Sequence, residues 1–193
     1  IDALADGPAI AQYLRTSAAA GENFLFGFGA LPEFSNPDMN TALAIQGGLG
    51  LPDRNYYFDA DKKDIRDAYV AHIAKVLELS GVAAADAHKQ AGEVMAFETR
   101  LAKVSKSRED FSRDVSLLNN MVSLADADAL TPNFAWTEFF QSQGVTAPEK
   151  FSLAVPAFHQ EVSKALGDTD ASLWRSYLRF HTVDGASPYL GDA

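Results

Sequence analysis

The sequence predicts a mainly α fold, a helical bundle-like lobe carrying one small β-hairpin near its N-terminus. Three observations lead there. Apolar residues recur at steps of three and four along most of the chain, period-two alternation is confined to residues 24–46, and no Gly/Pro/Ser-rich linker or internal repeat divides residues 1–193.

The elements follow in order. Asp6 is placed to cap a first helix with Pro8 in its opening turn, Ile10, Tyr13 and Leu14 on one face, and Gly21 as its stop. Phe24, Phe26 and Phe28 alternate with small residues, as do Leu43 and Ile45 within Thr41–Gln46. Pro32, Asn36, Pro37 and Asp38 between them mark the loop of a hairpin. A long helix is predicted from near Asp61, with Ile65, Tyr69, Ile73, Val76 and Leu77 on its stripe, ending at Gly81. A second, Ala84 to Lys103, carries Ala87, Ala91, Val94, Leu101 and Val104, and the short link between the two predicts an antiparallel pair. Ser123 caps a helix to Ala129, Ala135–Gln143 forms another, and Phe151–Val155 is extended. Pro156 opens a helix through Leu166 that Gly167 ends. The last runs from Asp170 to Thr182 with Leu173, Trp174, Tyr177, Leu178 and His181 along one side, and Ser187-Pro188 could start one more.

Composition bounds function. Against 26 Asp+Glu stand 16 Lys+Arg, a formal net charge of −10, which disfavours nucleic acid and anionic lipid as partners. At 47% hydrophobic and 22% charged the chain is globular. Folding can reduce its surface from roughly 30,000 Å² to about 9,000 Å², enough for a sizeable core. No apolar run of membrane-spanning length occurs, and residues 1–20 lack the basic start and apolar segment of a signal peptide. Zero cysteines removes disulfides, thiolate metal sites and thiol nucleophiles together. Beginning at Ile rather than Met, the sequence reads as a processed or excised piece.

The chemistry-bearing residues assemble no active site. His72, His88, His159 and His181 lie sixteen or more residues apart and none opens H-E-x-x-H, so each reads as a packed or partly exposed structural histidine. Gly47-Gly48-Leu49-Gly50 imitates a phosphate loop, but no Gly-Lys-Ser/Thr follows and Pro52-Asp53 interrupts it. Asp59, Asp61 and Asp64 imitate a calcium loop, yet Lys62 and Lys63 intrude and its twelfth position is Val70. Capping by Asp59 or Asp61 is the better account. Glu98, Asp126 and Asp128 read as solvated or ion-paired carboxylates. Arg113-Asp114 suggests a tie from a loop to neighbouring elements. Phe134, Trp136, Phe139 and Phe140 read as core, or as a face covered by another domain; in the latter case the isolated chain would expose an apolar patch and self-associate.

Several phrases resemble a known family. Gln46-Gly47-Gly48-Leu49-Gly50-Leu51-Pro52-Asp53-Arg54-Asn55-Tyr56-Tyr57 is similar to the GLGLP-(D/S)-R-(D/N)-Y-Y turn in the N-terminal region of neprilysin-like zinc metallopeptidases, the family that includes endothelin-converting enzyme. Further similar phrases follow in family order. They are Ala68–Ile73 with Leu77–Gly81, Phe97–Ala102, Arg113-Asp114, Phe134-Ala135-Trp136 and Trp174–His181.

The resemblance implies that residues 1–193 form a single partial domain, the N-terminal helical lobe that faces a C-terminal thermolysin-like catalytic domain of the same chain across a large cavity. Peptides would be the parent's substrates and zinc its cofactor, bound by the catalytic domain that this chain lacks. The H-E-x-x-H motif, the downstream zinc-binding glutamate and the Asn-Ala-x-Tyr segment are absent here, so no catalytic, cofactor-binding or metal-ligating residue is carried over. The lobe would enclose the cavity and restrict substrate size, with no activity, zinc, nucleic acid or membrane contact of its own. The family continues beyond Ser187-Pro188-Tyr189-Leu190, which makes this an incomplete lobe. Absence of cysteines fits a bacterial member, and family habit implies a periplasmic, secreted or membrane-anchored setting. A stand-alone helical interaction module is the alternative; an autonomous hydrolase built from scattered histidines and carboxylates is a third reading.

Overall fold

The computed structural model describes residues 1–33, 36 and 38–191. Helix α1 (Gly7–Ala19) starts where Asp6 accepts the Ala9 N–H at 2.9 Å, and its buried face is Ile10, Ala11 and Leu14. It ends at Gly21, whose φ of 90° lets the next amide, Glu22 N–H, turn back to Ser17 O.

The predicted hairpin forms, with strand β1 (Phe26–Pro32) antiparallel to β2 (Asn40–Gln46) and Phe28 opposite Ala44. Two details differ from expectation. Phe24 lies before the strand, and Pro32 closes β1 rather than opening the loop. As the last residue of an edge strand, Pro32 can pair without its missing N–H. Pro37 of the predicted loop lies outside the described residues, as do Asp192 and Ala193.

Helices α2 (Lys63–Leu79) and α3 (Ala84–Val104) form the expected pair. The start of α2 corrects the capping assignment. A short 3-10 turn, Ala60–Lys62, precedes the helix; Asp59 flanks that turn without a side-chain cap, and Asp61 pairs with Lys62 at 2.6 Å.

Helix α4 (Arg108–Arg113) is absent from the sequence reading although a capping box announces it: Ser107 Oγ accepts Asp110 N–H at 3.0 Å and Asp110 accepts Ser107 N–H at 2.8 Å. Strand β3 (Met121–Ser123), also unforeseen, leads into α5 (Leu124–Leu130), which Ser123 caps. Helix α6 (Trp136–Ser142) follows, and then β4 (Lys150–Leu153). The hairpin is thereby extended to a four-stranded sheet of order β1-β2-β4-β3, in which β4 lies parallel to β2 and antiparallel to β3. β4 falls on the segment Phe151–Val155 expected to be extended, whereas the three residues of β3 are too few to show alternation.

Helix α7 (Pro156–Asp168) runs past Gly167, and α8 (Ala171–Ala186) runs past Thr182 and through Gly185. Arg100 ties α3 to the end of α7, forking onto Asp168 at 2.8 and 3.1 Å and pairing with Glu161. The predicted start at Ser187-Pro188 is a single 3-10 turn, Ser187–Tyr189.

Phe134, Trp136, Phe139 and Phe140 are at most 2% exposed and interlock edge-to-face with Phe26, Phe28 and Phe151. Of the two readings of this cluster, core rather than a face covered by another domain is the one realised: α6 buries its rings against this chain's own sheet.

Candidate functional site

The glycine-rich turn sits over a buried carboxylate. Glu98 occupies the inner face of α3 and is 0% exposed. Four groups converge on it: Tyr57 Oη donates to Oε2 at 2.6 Å, Gly50 N–H to Oε2 at 3.2 Å, Tyr69 Oη to the two oxygens at 2.9 and 3.0 Å, and His181 Nε2 lies 2.8 Å from Oε1. Tyr57 Oη in turn accepts Leu51 N–H at 3.1 Å, so its own proton is free to point at Glu98. One carboxylate thus joins the turn, the 3-10 segment Arg54–Tyr57, α2, α3 and α8.

The turn fits only because its glycines lack side chains. A Cβ on Gly50 would stand 1.7 Å from Tyr69 Oη. Gly48 adopts φ 75°, where a Cβ would meet Tyr177 Oη at 2.7 Å. Tyr177 Oη also donates to Gly48 O at 2.8 Å and lies 3.0 Å from Phe24 O, which fastens the turn to the segment before β1. The phenols of Tyr57, Tyr69 and Tyr177 are all pushed far above the ordinary tyrosine range, first by burial and then by the charge of Glu98. They remain neutral donors, and the site works as a clamp rather than as a source of nucleophiles.

Of the two readings of the carboxylates, Glu98 fits the paired one and not the solvated one, since it is buried against His181. The signal was present: residues 87, 91, 94, 98 and 101 step by four and three, which places Glu98 within the apolar stripe of α3. Asp126 and Asp128 do not act together. Asp126 accepts Ser123 Oγ at 2.7 Å, whereas Asp128 takes Thr137 N–H and Oγ1 at 3.2 and 2.5 Å. Arg113 and Asp114 also stay local, Arg113 pairing with Glu109 one turn back and Asp114 accepting Ser116 N–H at 3.0 Å; the expected tie to other elements is not made.

The histidines disperse. His72 Nε2 lies 2.6 Å from Asp184 on the exposed seam of α2 and α8, and His88 is exposed on α3. His159, 2% exposed, contacts Ala154 O at 3.1 Å through Nε2. Burial lowers its pKa to about 4, opposed by the carbonyls of Ala154 and Ala44. His181 is committed to Glu98. Zinc needs three or four such donors converging on one point. Among the described residues no group of three or more His, Asp or Glu could hold a metal ion, so these residues do not fit a zinc site. No helix of the described residues is long and apolar enough to cross a membrane.

The family model for peptidase family M13 matches residues 2–193. Human endothelin-converting enzyme-like 1 is 31% identical over 152 residues, 75% of this chain and 19% of the relative. Mouse endothelin-converting enzyme 1 is 27% identical over 161 residues, 80% of this chain and 21% of the relative. Among solved structures, the Mycobacterium tuberculosis zinc metalloprotease Zmp1 in its open state superposes with a TM-score of 0.87 at 25% identity, covering 98% of this chain and 30% of that one. PepO from Lactobacillus rhamnosis shares the fold, with a TM-score of 0.82 at 19% identity over 98% of this chain and 30% of that one. The chain therefore spans about a fifth of the length of these curated relatives and about three tenths of the solved chains.

Proposed function

This chain belongs to peptidase family M13, and from that premise we propose that it is the N-terminal helical lobe of a zinc-dependent metalloendopeptidase, enclosing the cavity in which peptides are cut. One observation carries the reading. Nearly the whole chain superposes on less than a third of a zinc metalloprotease. The resident metal belongs to residues outside this chain, whose own histidines are dispersed, and the lobe contributes no catalytic group.

Its part is shape. A wall around a reaction cavity admits peptides and short unfolded segments and excludes folded proteins. Such a wall must keep its contour, which supports the role of the Glu98 clamp: a buried carboxylate saturated with donors fixes five segments in one register. The partner is the thermolysin-like catalytic domain, and the expected setting is extracytoplasmic, as the family resemblance implies. The intact enzyme should cleave peptides of about ten residues and spare the same sequence embedded in a folded protein. Equal cleavage rates for the two would contradict an enclosing role.

A further inference from the structure

Several basic side chains without an ion pair gather where α3 passes into α4. A pocket of about 630 Å³ opens there, its lining including Arg54, Lys103, Lys106, Asp110, Asn119 and Asn120 and the first turn of α7. Arg108 lies next to this pocket, in the adjoining cleft that shares Arg54 and Lys106. Seven of the sixteen basic side chains, Arg15, Lys62, Lys63, Lys89, Arg100, Arg113 and Arg179, each face a carboxylate. Among the described residues Lys103, Lys106 and Arg108 form no ion pair. Arg54 spends Nε on Ala102 O and Nη1 on Asn55, which leaves Nη2 without a partner.

Two carboxylates stand among these cations and offset part of their charge: Asp110 in the lining of the same pocket and Asp53 in the adjoining cleft, both also held by backbone N–H groups. Asp53 accepts Asn55 N–H at 3.0 Å and Arg108 N–H at 2.8 Å. Asp110 accepts Ser107 N–H, and its pKa is lowered first by Ser107, with smaller help from Lys106 and Arg54. Three cations, Arg54, Lys103 and Lys106, against the one carboxylate of Asp110 in the pocket lining leave a local excess of positive charge on a chain whose net charge is −10.

We propose that this pocket binds acidic peptide segments, with side-chain carboxylates held by Arg54, Lys103 and Lys106. Guanidinium and ammonium donors suit carboxylates, while the side-chain amide of Asn119 in the same lining suits a peptide backbone; that of Asn120 already donates to Leu153 O at 3.0 Å. The space is also much larger than one small oxyanion fills. The choice of a peptide as occupant rests on the peptidase reading; the pocket and its charge do not.

The test is fluorescence anisotropy of labelled hexaglutamate and hexaglutamine peptides titrated with the 193-residue chain. Hexaglutamate is expected to bind at least tenfold tighter, and more weakly as salt rises. A Lys103→Glu/Lys106→Glu double variant should lose at least tenfold in hexaglutamate affinity. A Lys75→Glu/Lys164→Glu control, with the same net charge but remote exposed sites, should not; circular dichroism checks that all three proteins are folded. Equal binding of the two peptides, or equal losses in both double variants, overturns the proposal. So does displacement by inorganic phosphate at matched ionic strength as effective as by unlabelled hexaglutamate, which would mark a simple anion site. The assay needs no cleavage, so its failure would leave the family reading standing, and an intact enzyme without zinc-dependent activity would leave this binding result standing.

Discussion

Tyr57 holds Glu98 and Leu51 at once, donating its phenolic proton to the Glu98 carboxylate at 2.6 Å while accepting the Leu51 N–H at 3.1 Å. Through that one oxygen the glycine-rich turn is coupled to the centre of α3. Removing the carboxylate charge should therefore cost more than removing any single donor. Glu98→Gln is expected to destabilise the chain by about 3 kcal/mol, because an amide presents two donors of its own to a set of donors. Tyr57→Phe should cost about 1–2 kcal/mol, by stranding Leu51 N–H. The double variant should lose less than the sum, as expected of one network. Urea denaturation reads all three, and a Glu98→Gln loss below about 0.5 kcal/mol would contradict the clamp.

Gly50→Ala tests the turn from the other side. A methyl group there would stand 1.7 Å from Tyr69 Oη and 2.6 Å from Tyr69 Cζ, too close for a hydroxyl shift alone to relieve. Overpacking of this kind costs about 2–3 kcal/mol. A urea midpoint unchanged by the substitution would show that the turn is free to move away.

Ala135 enters α6 with φ 59° and ψ 85°, a left-handed backbone for a residue with a side chain, and Val155 enters α7 in the same region. Ala135→Gly removes a conformational penalty with little loss of packing, so the variant should be more stable by about 1 kcal/mol, net of the greater freedom of its unfolded chain. That corresponds to a Tm higher by about 2–4 °C. A fall in Tm would mean that the methyl group contributes more than the strain costs.

His159 gives the folded chain a signature in pH. Burial holds it neutral down to about pH 4, whereas the unfolded chain protonates it near 6.5. Between those values the unfolded state binds the extra proton. The stability that His159 contributes is full above pH 6.5 and falls as pH drops towards 4, by about 3 kcal/mol. Denaturant titrations at pH 7, 5.5 and 4 should show this slope, and a His159→Gln variant, less stable at pH 7, should show a shallower one. Identical slopes in the two proteins would contradict a buried neutral imidazole.

Much of this architecture was legible because helices advertise themselves over many residues. Asp6, Gly21, Gly81, Ser123 and Pro156 each mark a boundary the structure uses, and the period of the phenylalanines around Phe26 located the hairpin. Glycine proved weaker as a stop, since Gly167 and Gly185 are tolerated inside α7 and α8. The extended segment of β4 was legible but its place in the sheet was not: β4 pairs with β2 across more than a hundred residues, and a partner that distant leaves no local trace. The clamp was half visible. Its glycine turn stood out as a motif and Glu98 stood out on an apolar stripe, but only the fold brings Tyr57, Tyr69 and His181 onto that carboxylate.

The central claim is that this lobe shapes a peptide cavity around a metal held by other residues. It is tested most directly by purifying the 193-residue chain after exposure to zinc, then measuring bound metal by elemental analysis and cleavage of a fluorogenic peptide in the same sample. The account predicts a folded protein with zinc well below one equivalent and no hydrolysis above buffer. One equivalent of tightly held zinc, with peptide cleavage that a chelator abolishes and zinc restores, would contradict it.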